Sequence, residues 1–344
     1  MDAFIHRTRD ERRRIFEQVE SQRRLPAHSV EKDIWLSLAV RELFSLPDIG
    51  PHLTFKGGTA LSKVWKIIER FSEDVDLTID RAVLGFDGAM APETAPSMKK
   101  RRQRLDELKD ACRRYVHGQL AEQLRQRLTA KLPTGERWEL VGAEDDPDGQ
   151  TLLFHYPTCW GHDSSRYVTP AVRLEFGARS DPWPASEERI VPMVAEEFPQ
   201  LFSAAACPVR ALAAERTFWE KAMLLHEENF RPLEKGHKRR MARHYYDLWA
   251  LITRGVAQSA VADATLFDAV AAHRRIFFNW SWMDYATIRK GSLRIVPLPD
   301  RMSAWRRDYD EMRREMFFDE PPTFVEVIAT VQEFEERFNR KSFS

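Results

Sequence analysis

The sequence predicts an α+β protein: a small sheet flanked by helices, followed by a mainly helical C-terminal part. Three observations predict it. Segments alternating apolar and polar residues, "LTFK", "DVDLTID", "TLLFHYP" and "AVRLEFGA", fall between Leu53 and Ala178. Before and after them, apolar residues recur at helical spacing. Beyond "RALAAERTFWEKAMLLHEEN" no strand-like alternation is found and the chain reads as almost all helix. We place a boundary within Asn229 to Arg240, so that residues 1–230 form one domain with N-terminal helices and residues 231–344 a helical second domain.

Taken in order, Asp10 to Leu46 predicts two helices broken near "LPAHS", the second capped by Ser29. "PDIGPH" is a turn leading into the strand "LTFK". After Gly57 and Gly58, "TALSKVWKIIER" predicts a helix, and the acidic strand "RFSEDVDLTID" follows. Met98 to Leu132 predicts a long arginine-rich amphipathic helix or helix pair. "GAEDDPDGQ" is a polar turn between it and the strands of Thr151–Pro157 and Tyr167–Ala178. "RALAAERTFWEKAMLLHEEN" and "MARHYYDLWALIT" are helical, with "RPLEKGHKRR" a basic connector between them.

Composition narrows the function. There are 53 Lys and Arg against 53 Asp and Glu, so the net charge is zero and any nucleic-acid surface has to be a local patch. The three cysteines, Cys112, Cys159 and Cys207, are widely spaced, form no metal knuckle, and read as buried free thiols in a reducing cytosol. No apolar run reaches the roughly 20 residues needed to span a bilayer, and the charged N-terminus has no signal-like core. A soluble cytoplasmic protein with no membrane partner is expected.

The acidic strand poses the chemical question. Val75, Leu77 and Ile79 fall on one face, and Ser72, Asp74, Asp76, Thr78 and Asp80 on the other. Two carboxylates one strand repeat apart repel unless a cation lies between them. Hard oxygen ligands select magnesium or manganese, and a D-x-D pair supplies half a site, leaving positions for water and phosphate. An exposed edge strand with solvated acids gives the same pattern. Upstream, Lys56, Gly57, Gly58 and Thr59 join strand to helix. The glycines allow close backbone approach, and Thr59, Lys56 and Lys63 add a hydroxyl and positive charge for a phosphate. An ordinary turn is the alternative, since the Walker pattern is absent. Glu175 is the candidate third carboxylate for two-metal chemistry, unless it pairs with Arg173 or Arg179. Ser72, on the face of Asp74 and Asp76, can donate to a nucleotide phosphate or serve as a strand-edge hydrogen bond.

"TFKGGTALSKVWKIIERFSEDVDL", followed by "ERTFWEKAMLLHEE" and "RHYYDLWAL", resembles the AbiEii/AbiGii toxin family, nucleotidyltransferase-like toxins of type IV toxin–antitoxin and abortive-infection systems. "VEKDIW" resembles that family's opening helix, and the likeness runs from about Ser29 to Arg254. It implies the small mixed sheet of the DNA polymerase β-like nucleotidyltransferases. It also implies a metal-dependent enzyme that takes an NTP with Mg2+ or Mn2+, transfers NMP to an RNA acceptor such as a tRNA 3′ end, and releases pyrophosphate. A cognate antitoxin encoded nearby, not required to bind the toxin, is the implied counterpart. By position, Gly58 and Thr59 resemble the phosphate turn, Asp74 and Asp76 the metal ligands, Lys221 the nucleotide-contacting lysine, and Asp247 the later active-site aspartate. Read without the family, Lys221 is a solvated helix lysine and Asp247 the partner of Arg243 four residues earlier.

Lys238, Arg239, Arg240 and Arg243 lie just before Asp247 and are the expected RNA-phosphate contacts; "KKRRQR" at Lys99 to Arg104 is a second basic run, and either can equally be solvated charge. The aromatics of "FFNWSWMDY" can stack bases, but a helical core is the reading expected of them. Two alternatives stand beside the RNA-directed enzyme: a nucleotidyltransferase acting on a small antibiotic-like molecule, and a nucleotide-binding protein without catalysis.

Overall fold

Val75, Leu77 and Ile79 are essentially fully buried, so the acidic strand is indeed anchored by its apolar face. The computed structural model describes residues 1–72, 74–160, 170–317 and 320–340. They fall into two units: Met1–Val64 with Phe71–Leu212, and Trp65–Arg70 with Ala213–Ser344.

The first unit carries helices α1 (Asp2–Ile5), α2 (Arg9–Arg23), α3 (Ala27–Phe44), α4 (Gly57–Lys63), α5 (Met98–Tyr115), α6 (Ala121–Lys131) and α7 (Met193–Glu197). Its strands are β1 (Leu53–Lys56), β2 (Asp74–Ile79), β3 (Glu139–Gly142), β4 (Thr151–His155), β5 (Ala171–Gly177), β6 (Ala185–Ile190) and β7 (Cys207–Leu212). The expected first residues of β5, Tyr167 to Thr169, lie outside the described residues. The strands form one sheet in the order β3-β4-β5-β2-β1-β7-β6. β2 runs parallel to β5 and antiparallel to β1, and β1 runs parallel to β7, so the sheet is mixed. β2 is therefore a central strand, which excludes the edge-strand explanation of its acids. Helix α3 packs on β5 and β7, and its Ile34, Trp35 and Leu38 are buried.

The second unit is helical: α8 (Ala214–Phe230), α9 (Arg243–Thr253), α10 (Val256–Ala262), α11 (Ala264–Phe277), α12 (Met302–Glu315) and α13 (Phe324–Asn339). α8 packs against α9, α10 and α11, and α9 against α13. Phe218, Trp219, Phe267, Phe334 and Phe338 form its aromatic core, with ring centroids 4.8–6.3 Å apart.

Three local expectations are corrected, and one strand has no sequence signal. α3 begins at Ala27 behind Pro26 with no side-chain cap, so Ser29 lies inside the helix. α4 stops at Lys63: Lys66 adopts φ +53, and Trp65–Arg70 leaves for the second unit, where tertiary contacts outweigh helix propensity. "CPVRAL", whose end reads as helix in the sequence, is β7, an interior strand paired on both sides. β6, with four polar residues in six, is an edge strand and carries no apolar alternation to read.

Candidate active site

β1 ends at Lys56, opposite Asp76 in the antiparallel ladder, and the chain turns directly into α4 at Gly57. Gly57 has φ +74, and a Cβ there would lie 1.9 Å from Asp76 Oδ2. Glycine is required for both reasons: the left-handed backbone, and the space that the carboxylate occupies. Gly58 follows inside α4, and no side chain caps the helix start. Thr59 is fully buried, and its hydroxyl donates to the Asp74 carbonyl at 2.5 Å while lying 3.0 Å from the Ser72 hydroxyl. Its hydroxyl thus ties α4 to the first residue of β2. Lys56 Nζ donates to Ser180 Oγ at 2.8 Å. Lys63 is buried and ion-paired with Asp33, whose other oxygen accepts the Met193 amide at 2.7 Å, so its charge is satisfied inside the protein.

Asp74 and Asp76 are half-buried on the face opposite Val75, Leu77 and Ile79. Glu175 lies beside Asp76 in the parallel β2–β5 register, and Arg173 beside Asp74. The Glu175 carboxylate accepts Arg173 Nε at 2.7 Å, and Arg173 also reaches Asp145 at 2.9 Å. Burial works against this guanidinium's charge, but Asp145 and Glu175 outweigh it and keep its pKa raised. Among the described residues, no three His, Cys, Asp or Glu side chains converge as a metal cage. The donors are thus two hard carboxylates beside a helix start cleared by glycine. That set suits a magnesium-type ion completed by water and substrate phosphate, and does not suit zinc.

The second unit holds the other two predicted residues in one cluster. Asp247, fully buried, accepts Arg70 Nε at 2.7 Å and Arg70 Nη2 at 2.8 Å, and its Oδ2 lies 2.9 Å from Lys221 Nζ. Lys221 is itself buried and lies 3.4 Å from His244 Nδ1. Burial alone would raise the Asp247 carboxyl; Arg70 and Lys221 outweigh it and hold it far below the carboxylate range. Burial lowers the Lys221 amine, with Asp247 opposing and Arg70 adding to the drop. His244 is driven well below its usual value by burial and then by Lys221 and Arg243. Neither the solvated lysine nor the Arg243 surface pair is what the fold builds. Sequence reading missed Arg70 and His244, because only tertiary folding brings Arg70 to Asp247, 177 residues away.

The basic connector is not a bare positive patch. Lys238 pairs with Glu228 at 3.1 Å, and Arg239 with Glu311 at 3.4 Å. Arg240, at φ +62, donates its backbone amide to Asp308 at 2.6 Å. Arg243 opens α9, half-buried. The expected helical core at "FFNWSWMDY" is also corrected. α11 ends at Phe277, and Trp280 stands 42% exposed in the loop beyond it.

A mixed sheet whose central strand bears two aligned aspartates, packed against a Gly-Gly-Thr helix start, defines a nucleotidyltransferase-type protein. A family model described as "Nucleotidyl transferase AbiEii toxin, Type IV TA system" matches residues 39–340, and the chain belongs to that family. It is a nucleotidyltransferase toxin, and membership implies an NTP substrate, usually a divalent metal, and an antitoxin as counterpart. No curated protein gives a significant match. Among solved structures the chain is similar to MenT4, a nucleotidyltransferase toxin from Mycobacterium tuberculosis H37Rv, with 14% identity, a TM-score of 0.36, and 89% of this chain and 99% of that one covered. No helix among the described residues is long and apolar enough to cross a membrane.

Proposed function

We propose that the chain transfers an NMP group from an NTP to the 3′ hydroxyl of an RNA acceptor, of which a tRNA end is the preferred example, and releases pyrophosphate. The observation that carries this reading is the seat of the Asp76 carboxylate where a Gly57 side chain would stand. It supports the reading because one acid of the D-x-D pair lies against the Gly57 turn that opens α4.

Asp74 and Asp76 are the residues that would hold magnesium, or manganese. That ion, when bound, supplies charge stabilisation to the phosphoryl oxygens. Gly57 and Gly58 keep the helix start clear of side chains, so amide N–H groups can donate to phosphate oxygens. Thr59 and Ser72 fix the strand that carries the acids, and Lys56 adds positive charge at the same turn. Arg173 holds Glu175 in place on the neighbouring strand, making Glu175 an orienting acid in this arrangement and the third carboxylate only if it leaves Arg173. Lys221 and Asp247 enter as the family resemblance has them, a phosphate-contacting lysine and a later active-site acid. Lys238, Arg239, Arg240 and Arg243 are proposed contacts to RNA phosphates, working against the acids that flank them.

Incubation with each labelled NTP, magnesium and total RNA tests the reading, with Asp76→Asn as control. Label is expected in an RNA band with wild type and in none with the variant. Label appearing only in a small molecule would transfer the reading to the antibiotic-modifying class, and full activity of Asp76→Asn would remove the two-aspartate site.

A further inference from the structure

Most large aromatics of this chain are buried, but Trp280 is 42% exposed and Leu233 62% exposed. The rings of Trp280 and Trp282 lie nearly parallel, 8° apart, with centroids separated by 5.9 Å. The Lys235 ammonium sits 5.8 Å from the centre of the Trp282 ring. Among the described residues no acid lies in ion-pair range of Lys235, unlike Lys238 and Arg239 in the same connector.

The loop that presents the rings is fixed by its own hydrogen bonds. Trp280 donates its amide to Tyr285 Oη at 3.3 Å and accepts the Met283 amide at 3.1 Å on its carbonyl. Met283 and Tyr285 are buried beneath, and Asp284 accepts the Ala286 amide at 3.0 Å. Trp280, like Trp183 at 51% exposure, forgoes the burial that stabilises Trp35, Trp219 and Trp305. A fixed, solvent-facing aromatic pair beside an unpaired cation has the two elements of single-strand recognition: a flat face for a base and a charge for its phosphate.

We propose that Trp280, Trp282 and Lys235 form a stacking platform for an unpaired base of single-stranded RNA. Trp280 offers its face to the base, and Lys235, held over Trp282, meets the adjoining phosphate. The proposal rests on the RNA-directed reading above and deepens it: the acceptor is held by unpaired nucleotides as well as by backbone charge. A protein surface is the other occupant that such a patch can take; the exposed cation and the parallel rings favour RNA.

The test measures binding without NTP. The probes are a short labelled oligoadenylate and the same chain with abasic units, which keeps phosphates and removes bases. Wild type is expected to bind the oligoadenylate about tenfold more tightly than the abasic chain. Trp280→Ala should erase that difference while leaving the salt slope unchanged. Trp280→Phe should retain most of it. Lys235→Ala should weaken both probes and lower the log–log salt slope by about 0.7. Equal binding of the two probes by wild type overturns the platform, as does full discrimination by Trp280→Ala. So does unchanged RNA binding by Trp280→Ala together with failure to bind a purified antitoxin, which would assign the patch to protein. Failure here is separable from failure of the enzymatic reading: if wild type labels RNA while Trp280→Ala binds both probes normally, only the platform falls.

Discussion

Asp247 accepts two of Arg70's guanidinium nitrogens, Nε and Nη2, at 2.7 and 2.8 Å, in a site where neither residue is more than 3% exposed. Such a pair is costly to break from one side, because the surviving charge stays buried. Arg70→Ala should therefore destabilise the protein by about 3–5 kcal/mol, read as a lowered urea midpoint. Asp247→Leu alone would strand both Arg70 and Lys221, so joint replacement of all three by apolar residues should cost less than that single change. The acid dependence has a definite sign. Asp247's folded pKa lies below its ordinary 3.8, so its contribution is complete above that pH and is withdrawn as the pH falls further.

His226 predicts a second pH effect in a milder range. Its Nδ1 accepts the Arg294 amide at 2.8 Å, so Nε2 carries the proton and donates to Thr287 Oγ1 at 3.0 Å. Burial lowers its pKa from 6.5 to about 4. The unfolded chain then binds more protons between those values, and stability should fall as pH drops from 6.5 towards 4, levelling below. The full loss is on the order of 3 kcal/mol at 1.36 kcal/mol per unit. Urea titrations of wild type and His226→Gln across this range check it; the variant should lack the slope.

Gly57→Ala should abolish transfer, because the new methyl displaces the Asp76 carboxylate. Gly85→Ala is the matched control. Gly85 has a similar φ of +80, but nothing lies within 4 Å of its added Cβ. Both variants should lose about 1–2 kcal/mol from backbone strain, and only Gly57→Ala should lose nucleotide transfer. Equal activities in the two variants would dissociate Gly57 from the site.

Thr59→Val keeps the shape and removes the donor to the Asp74 carbonyl. Loss of about 1 kcal/mol is expected, since the side-chain hydrogen bond that ties α4 to β2 is gone, together with reduced transfer from a loosened β2. Thr59→Ser should restore both. A valine variant with wild-type stability and rate would show that the hydroxyl does not position the strand.

Neutralising Lys238, Arg239 and Arg240 together should weaken RNA binding and reduce the salt slope by about 0.7 for each phosphate that the variant no longer neutralises. Glu228, Glu311 and Asp308 already engage parts of this connector, so the reduction should fall short of that for three phosphates. An unchanged slope would remove the connector from the acceptor surface.

The central features were legible because they are local. Alternation along Asp74–Ile79 revealed both the buried face and the paired acids, and Gly57 to Thr59 marked the turn from strand to helix. Helical spacing likewise revealed α8 and α9. What stayed hidden depended on partners distant in sequence. β7 looks helical because "RALAAERTF" runs without a breaker into α8, and only pairing with β1 and β6 makes it strand. α4 is cut short by contacts that Arg70 and Glu69 make with residues near 247. Thr59's hydroxyl points inward, which no spacing discloses. The tryptophan loop reads as core because aromatic side chains are ordinarily buried, a rule that Trp280 breaks.

The segment Trp65–Arg70 belongs to the second unit although it is made before most of the first. Ribosomes add roughly 5–20 residues each second, and Asp247 follows Arg70 by 177 residues. The Arg70 guanidinium therefore emerges on the order of ten to thirty-five seconds before its carboxylate exists. Throughout that interval the nascent polypeptide has already produced Asp74 and Asp76, yet the stretch just upstream of them has no permanent partner. A product terminated before Asp247 would be left in this state for good, so synthesis past that residue is itself a condition for fastening the segment.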